Sequence, residues 1–238
     1  MKNNLQFFPL SILAILFSFQ NTYAQSASCH LGKLDARVSF VLQYVPDRTL
    51  EQERAMPVAE KRKQGPPDPN PLPKDKMQQI KITADSLPVI IFRPDHSTKK
   101  SLPIIIDYHG GAFFIPYQPY MNNSYYAQAN DLEAIVFAVD YRVAPENKFP
   151  IPVTDCYNTF KWVLANAHKF GGYTSKIILS GASAGGNLAA VVSLLAREEG
   201  LDKKIKIISL FCPAVDNPIN SSYPSFKENG KGYGITKK

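Results

Sequence analysis

"KIILSGASAGGNLAAVVSLLAREEG", residues 176–200, is the stretch on which the fold turns. The apolar run Ile177–Leu179 meets Gly181-Ala182-Ser183-Ala184-Gly185, and Leu188, Val192 and Leu195 then recur at helical spacing towards Gly200. A buried strand thus runs straight into an amphipathic helix, with a G-x-S-x-G pattern on the turn between them. The flanking glycines permit a strained turn and close packing of the helix. A serine in that place projects its hydroxyl above the sheet, and the new helix offers its first N–H groups to a developing negative charge. Alone the pattern is weak: a chain of this length contains one by chance about one time in ten. The plainer reading is a helix-capping turn with Ser183 merely exposed; the position between strand and helix favours a nucleophile.

Working outward, "LPIIIDY" (102–108), "AIVFAV" (134–139) and "IKIISLF" (205–211) are further short, near-continuous apolar runs. Runs of this kind suit strands covered on both faces, as in a parallel sheet. Ile80 to Thr83 and Leu87 to Phe92 read as a strand pair. Val153, Cys156, Tyr157, Phe160, Val163, Leu164 and Ala167 recur at helical spacing and stop at Gly171-Gly172. Strand and helix alternate, which predicts a doubly wound, mostly parallel α/β sheet. Before it, residues 34–62 carry a loose helical pattern, and the five prolines of "GPPDPNPLP" (65–73) form an extended connector.

The 238 residues, 45% hydrophobic and 20% charged, have room for one sizeable core. Residues 1–24 hold Lys2, an apolar stretch from Phe7 to Phe19 and small or short residues before Ala24, which predicts an export signal cleaved after Ala24. The chain is then expected to be periplasmic or secreted, with no stable membrane insertion; an uncleaved anchor is the alternative. The net charge of +7, less Lys2, leaves +6 on scattered lysines, which fits a solvated surface and no nucleic-acid partner. Cys29, Cys156 and Cys212 have neither metal-ligand spacing nor a disulfide framework, and Cys156 and Cys212 read as buried free thiols. No metal site and no phosphate-binding loop appears, so no cofactor is expected.

Two more stretches carry chemistry. "DYHGGAFF" (107–114) follows a buried strand, and its consecutive glycines let the backbone N–H groups approach a substrate carbonyl that side chains would block. A strand-end turn with a hydrogen-bonded core histidine is the alternative there. "VDYRVAPENKFPIPVTD" (139–155) is a strand end followed by a Pro-rich loop, in which Arg142 and Glu146 read as a local ion pair.

Taken in order and spacing, His109-Gly110-Gly111, "YRVAPENKFP" (141–150) and "GASAGGNLA" (181–189) resemble the hormone-sensitive-lipase-like esterases of the α/β-hydrolase superfamily. The resemblance runs from about Lys76 to Lys238, and implies an α/β-hydrolase domain over 76–238 behind an N-terminal cap segment and connector over 25–75. It implies a carboxylic-ester hydrolase with a small-molecule ester substrate and Ser183 as the acyl-accepting nucleophile. The oxyanion hole would come from the Gly110-Gly111-Ala112 loop and Ala184, with His109 as structural support. Gly111→Val is then expected to crowd the substrate carbonyl while leaving the fold intact. Phe113, Phe114, Tyr117 and Tyr120 line an acyl pocket or pack in the core.

Ala182 stands where the family has an acid, and a larger departure follows. The family order is serine, acid, histidine, yet His30, His96, His109 and His168 all precede Ser183. Asp202 and Asp216 follow too closely to be the family's acid. The family continues through further cap helices and two more strands, where this chain reads "GKGYGITKK". The expectation is a C-terminally truncated sheet whose apolar strand 205–211 lies at an edge. A non-catalytic pseudohydrolase that keeps the pocket is the alternative, and a peptidase or amidase on the same scaffold is a third.

Overall fold

Buried strands in this chain are apolar on both faces because helices cover both faces of the sheet they form. The computed structural model describes residues 50–63, 70–82 and 86–215, with Ala36 and Phe40; all but those two lie in one unit, Thr49–Ser222. Two short helices, α1 (Leu50–Ala55) and α2 (Val58–Lys61), precede the sheet. Then come β1 (Met77–Ile82), β2 (Leu87–Phe92), β3 (Leu102–Tyr108), α3 (Asn122–Asp131), β4 (Ile135–Val139), α4 (Ile151–Asn166), β5 (Gly172–Ala182), α5 (Ala184–Glu198) and β6 (Ile205–Phe211). The expected signal at 1–24, about half of the 34–62 pattern and the residues after 215 lie outside the described ones.

The described strands form one sheet in the order β1-β2-β4-β3-β5-β6. β1, β2 and β4 pair antiparallel, whereas β4, β3, β5 and β6 run parallel. β4 is inserted between β2 and β3, so the chain crosses over and returns, which is the doubly wound pattern that alternating strands and helices predict. One face of the sheet packs Ile104, Ile106, Phe137, Ile177 and Leu179 against Phe160 and Val163 of α4 and Leu188 and Val192 of α5. The other packs Phe92, Ile105 and Val136 against Ala129 and Tyr125 of α3. Burying each such aliphatic side chain contributes about 1.5–3 kcal/mol.

The parallel arrangement sets where chemistry can sit. The C-terminal ends of β3, β4 and β5 lie side by side: Tyr108 pairs with Val139 and with Gly181. Each strand there passes into one of the stretches singled out from the sequence. At the far side β6 carries Ile207, Ile208, Leu210 and Phe211 exposed among the described residues. Among the described residues no helix is long and apolar enough to cross a membrane.

Candidate active site

Ser183 stands between β5 and α5 with φ 52° and ψ −117°, a conformation that a non-glycine residue adopts only under constraint. The constraint is visible on both sides. Its N–H donates to the Phe211 carbonyl (2.9 Å), and its carbonyl accepts from Asn187 N–H and Ala214 N–H (3.1 Å each). Methyl groups on Gly181 or Gly185 would overlap backbone, that of Gly181 on Gly185 and that of Gly185 on Tyr108, so the elbow closes only with glycine at both places. The Ser183 side chain makes no capping bond to its own helix although it occupies the N-cap. Its residue is exposed, so the hydroxyl is not committed to capping the turn.

Beside it lies the loop that leaves β3. A Cβ on Gly110 would come 3.1 Å from the Ala182 carbonyl oxygen and 3.5 Å from Ser183 Cβ, which puts this loop against the elbow. Gly111 (φ 130°), Ala112 (φ 50°) and Phe113 (φ 63°) are consecutive residues with positive φ. Holding the two non-glycine residues there costs on the order of 1–3 kcal/mol each. The Gly111 carbonyl accepts from the N–H groups of Phe114 (3.0 Å) and Ile115 (2.9 Å). Across a trans peptide the C=O and N–H point in opposite directions, so the N–H of Ala112 is turned out of the loop. Among the described residues no backbone carbonyl accepts from Gly111 or Ala112 N–H. Ala184 is the first residue of α5, where helical N–H groups lack intrahelical partners.

The structure corrects one expectation here. A Cβ at Gly111 would point at Ile115, 2.7 Å from its carbonyl oxygen and 2.9 Å from its Cβ, and not at the space over Ser183. Gly111 is therefore required by the loop itself. Gly110 is the glycine that permits close approach to the serine.

His109 is buried beneath this loop. Its Nδ1 lies 2.7 Å from the Gly110 carbonyl, its ring stacks on Tyr141 with centroids 4.2 Å apart, and the Tyr141 hydroxyl donates to the His109 carbonyl (2.7 Å). Nε2 is buried and bonds to none of the described residues. Burial, opposed by the Gly110 carbonyl, lowers its pKa from 6.5 to about 4, so the ring is neutral at physiological pH. The neutral ring donates Nδ1–H to the loop at Gly110 and leaves Nε2 without a partner among the described residues.

A polar layer continues from there. Tyr125 donates to the buried Asp107 (2.7 Å), Tyr117 donates to Asn122 (2.6 Å), and the two tyrosine rings stack. Burial raises the Asp107 carboxyl above its ordinary value, opposed by bonds from Tyr125 and Ser180. Of the aromatic residues that sequence left between pocket and core, Phe113 and Tyr117 pack against core residues and Tyr120 is exposed.

The other described histidines are elsewhere. His168 lies in the turn Ala167–Phe170 that leads into β5, and Ser183 leaves the opposite end of that strand; Gly172 and Gly181 pair with Leu102 and Tyr108, so the strand alone separates them by about 20 Å. His96 follows β2 and precedes β3, again at the N-terminal side of the parallel strands. Asp202 begins the turn into β6, and Asp216 is outside the described residues.

Two further corrections concern side chains. Arg142 does not pair with Glu146: its backbone N–H, Nε and Nη2 all donate to Asp155 (3.1, 2.9 and 2.6 Å). Glu146 instead receives both Nη atoms of Arg62 (3.0 and 2.6 Å), a residue that sequence reading did not single out. Cys156 is buried, but Cys212 is exposed, because it follows the last residue of β6 at φ 44° on the way out of the sheet.

Comparison with known proteins agrees with this geometry. A family model described as alpha/beta hydrolase fold matches residues 105–238. The chain is 39% identical over 138 residues to an arylesterase of Saccharolobus solfataricus, covering 58% of this chain and 43% of that protein. It is 34% identical over 164 residues to the carboxylesterase NlhH of Mycobacterium tuberculosis, covering 68% of this chain and 50% of that protein. A solved esterase of Pyrobaculum calidifontis superposes with a TM-score of 0.66 at 29% identity, over 83% of this chain and 65% of that one. The chain spans about half the length of the curated relatives it matches. With a G-x-S-x-G turn between β5 and α5, an H-G-G loop after β3 and a matching family model over more than half its length, the chain belongs to the hormone-sensitive-lipase-like family of α/β-hydrolase-fold carboxylesterases.

Proposed function

We propose that this chain carries the nucleophile and the oxyanion hole of a carboxylic-ester hydrolase. Ser183 Oγ attacks the ester carbonyl, and the carbonyl π electrons move onto oxygen. The N–H groups of the Gly110-Gly111-Ala112 loop and of Ala184 receive that oxyanion. Collapse expels the alcohol and leaves an acyl-serine; water then attacks it, releasing the carboxylic acid and free Ser183. The observation that carries this reading is the exposed, uncapping Ser183 at φ 52° with Gly110 packed beside it.

The serine proton needs an acceptor. His109 Nε2 is buried and bonds to none of the described residues, Ser183 included, while His96 and His168 sit at the other end of the sheet, and no histidine follows Ser183 in these 238 residues. The family's general base and its acid partner must come in addition to the described residues. Without a base, only the residual acceleration of oxyanion hole and binding remains, several orders of magnitude below a complete triad. That none of the described histidines bonds to Ser183 is also the observation that favours a second reading, a pseudohydrolase that binds small molecules in the same pocket.

A fluorophosphonate probe separates the two. Under the first reading it labels Ser183 in a protein that also supplies the base, Ser183→Ala is unlabelled, and hydrolysis of a short-chain aryl ester is lost with the label. A folded protein that resists labelling and turns over no ester, yet binds aryl esters reversibly, belongs to the second. We also propose export with cleavage after Ala24, so that N-terminal sequencing of the exported protein begins at Gln25.

A further inference from the structure

We propose that Arg62 is a positioning residue for the oxyanion loop, acting from the N-terminal helical segment; the inference rests on the esterase reading only for its kinetic consequence. Arg62 follows α2 and is far in sequence from everything it binds. Its Nε donates to the Phe114 carbonyl (2.8 Å) and its Nη2 to the Ala144 carbonyl (2.7 Å), and the fork closes on Glu146. Phe114 ends the turn whose first carbonyl, on Gly111, is held by Phe114 and Ile115 N–H. Ala144 N–H in turn donates to the Phe113 carbonyl (2.9 Å). One guanidinium therefore adds a further link between two loops that the Ala144–Phe113 backbone hydrogen bond and the Tyr141–His109 bond already join.

The loop needs such a link. Gly111, Ala112 and Phe113 all hold positive φ, and a strained backbone persists only where its surroundings over-determine it. The hydrogen bonds on the Gly111 carbonyl aim the Ala112 N–H, and they hold only while Phe114 stays in place. Arg62 is the side chain that fixes the carbonyl of Phe114. Its planar fork reaches two carbonyls and a carboxylate at once, which a lysine ammonium on a single stem does not reproduce. Arg62 packs into neither hydrophobic core cluster, so its removal loosens the loop without opening the sheet.

The test compares the parent chain with Arg62→Ala and Arg62→Lys, by steady-state hydrolysis of an aryl ester and by amide hydrogen exchange. Arg62→Ala should lower kcat about 10- to 100-fold with KM within about twofold, a smaller loss than the ~10²–10³-fold for deleting an oxyanion donor outright. The amides of Phe114, Ile115 and Ala144 should exchange faster, while those of β3 and β5 keep the parent's rates. Arg62→Lys should move both readouts in the same direction by less. Unchanged kcat and unchanged loop exchange in either variant overturns the proposal, as does faster exchange spread evenly through the sheet. If the parent hydrolyses no ester, exchange at Phe114, Ile115 and Ala144 decides the role of Arg62 alone.

Discussion

Gly185 on α5 lies directly against the backbone of Tyr108 at the end of β3: a methyl group on Gly185 would overlap the Tyr108 carbonyl oxygen and crowd that of His109. The same contact joins the two halves of the candidate site, because Tyr108 leads into the H-G-G loop and Gly185 belongs to the first turn after Ser183. Neither partner is a side-chain end that swings aside; both are backbone in the buried centre of the fold.

Gly185→Ala should therefore be among the most damaging single-methyl changes in the chain, costing at least about 4 kcal/mol. Against a total of about 5–15 kcal/mol for a domain, that leaves little folded protein. Denaturant titration should show a large drop in midpoint, or no soluble product at all. A loss under about 1 kcal/mol would mean that helix and strand separate more easily than their contact suggests.

Gly110 and Gly111 should fail in different ways. A methyl on Gly110 meets Ala182 O at 3.1 Å and Ser183 Cβ at 3.5 Å, which is tight but tolerable, and it occupies space beside Ser183. Gly110→Ala should lower ester hydrolysis or phosphonate labelling by roughly tenfold or more while costing at most about 1 kcal/mol of stability. Gly111→Ala combines φ 130° with a 2.7 Å approach to Ile115 O, so it should lose about 1–3 kcal/mol together with activity. Thermal melts run beside the labelling assay check both; equal stability losses in the two variants would contradict this division.

The same residues show how far the sequence was legible. β3 and β6 begin and end where the apolar runs do. β5 extends back to Gly172, beyond its apolar run, because a register shift between Leu102 and Ile104 lets Gly172 pair with Leu102. α3 was not foreseen. "NNSYYAQAND" has no apolar periodicity and few good helix formers, and tertiary contacts hold it: Tyr125 on Asp107 and Phe92, with Ala129 in the core. The Arg142–Glu146 expectation failed on locality. Buried Asp155 cannot stay unpaired and takes Arg142, leaving Glu146 to an arginine 84 residues earlier. Ties of that span leave no periodic mark in a sequence.

The last prediction concerns pH. His109 has a folded pKa of about 4 because burial disfavours its charged form, against 6.5 for an ordinary histidine. Between those values the unfolded chain binds the proton and the folded chain does not, so stability rises with pH through this window and falls as pH drops through it. The full difference corresponds to about 3 kcal/mol lost between pH ~6.5 and ~4. Asp107 acts in the opposite sense: burial raises its folded pKa, so the folded state holds that proton more tightly and loses stability as pH rises past its ordinary value. Subtracting a variant isolates the histidine. His109→Asn keeps an N–H that can reach the Gly110 carbonyl but has nothing to titrate. The stability difference between parent and His109→Asn, measured by urea unfolding, should shrink or reverse from pH 7 to pH 4. A difference that stays constant across that range would show that His109 is accessible to protons in the folded state, and the stacked, buried ring against Tyr141 would not be the form it takes in solution.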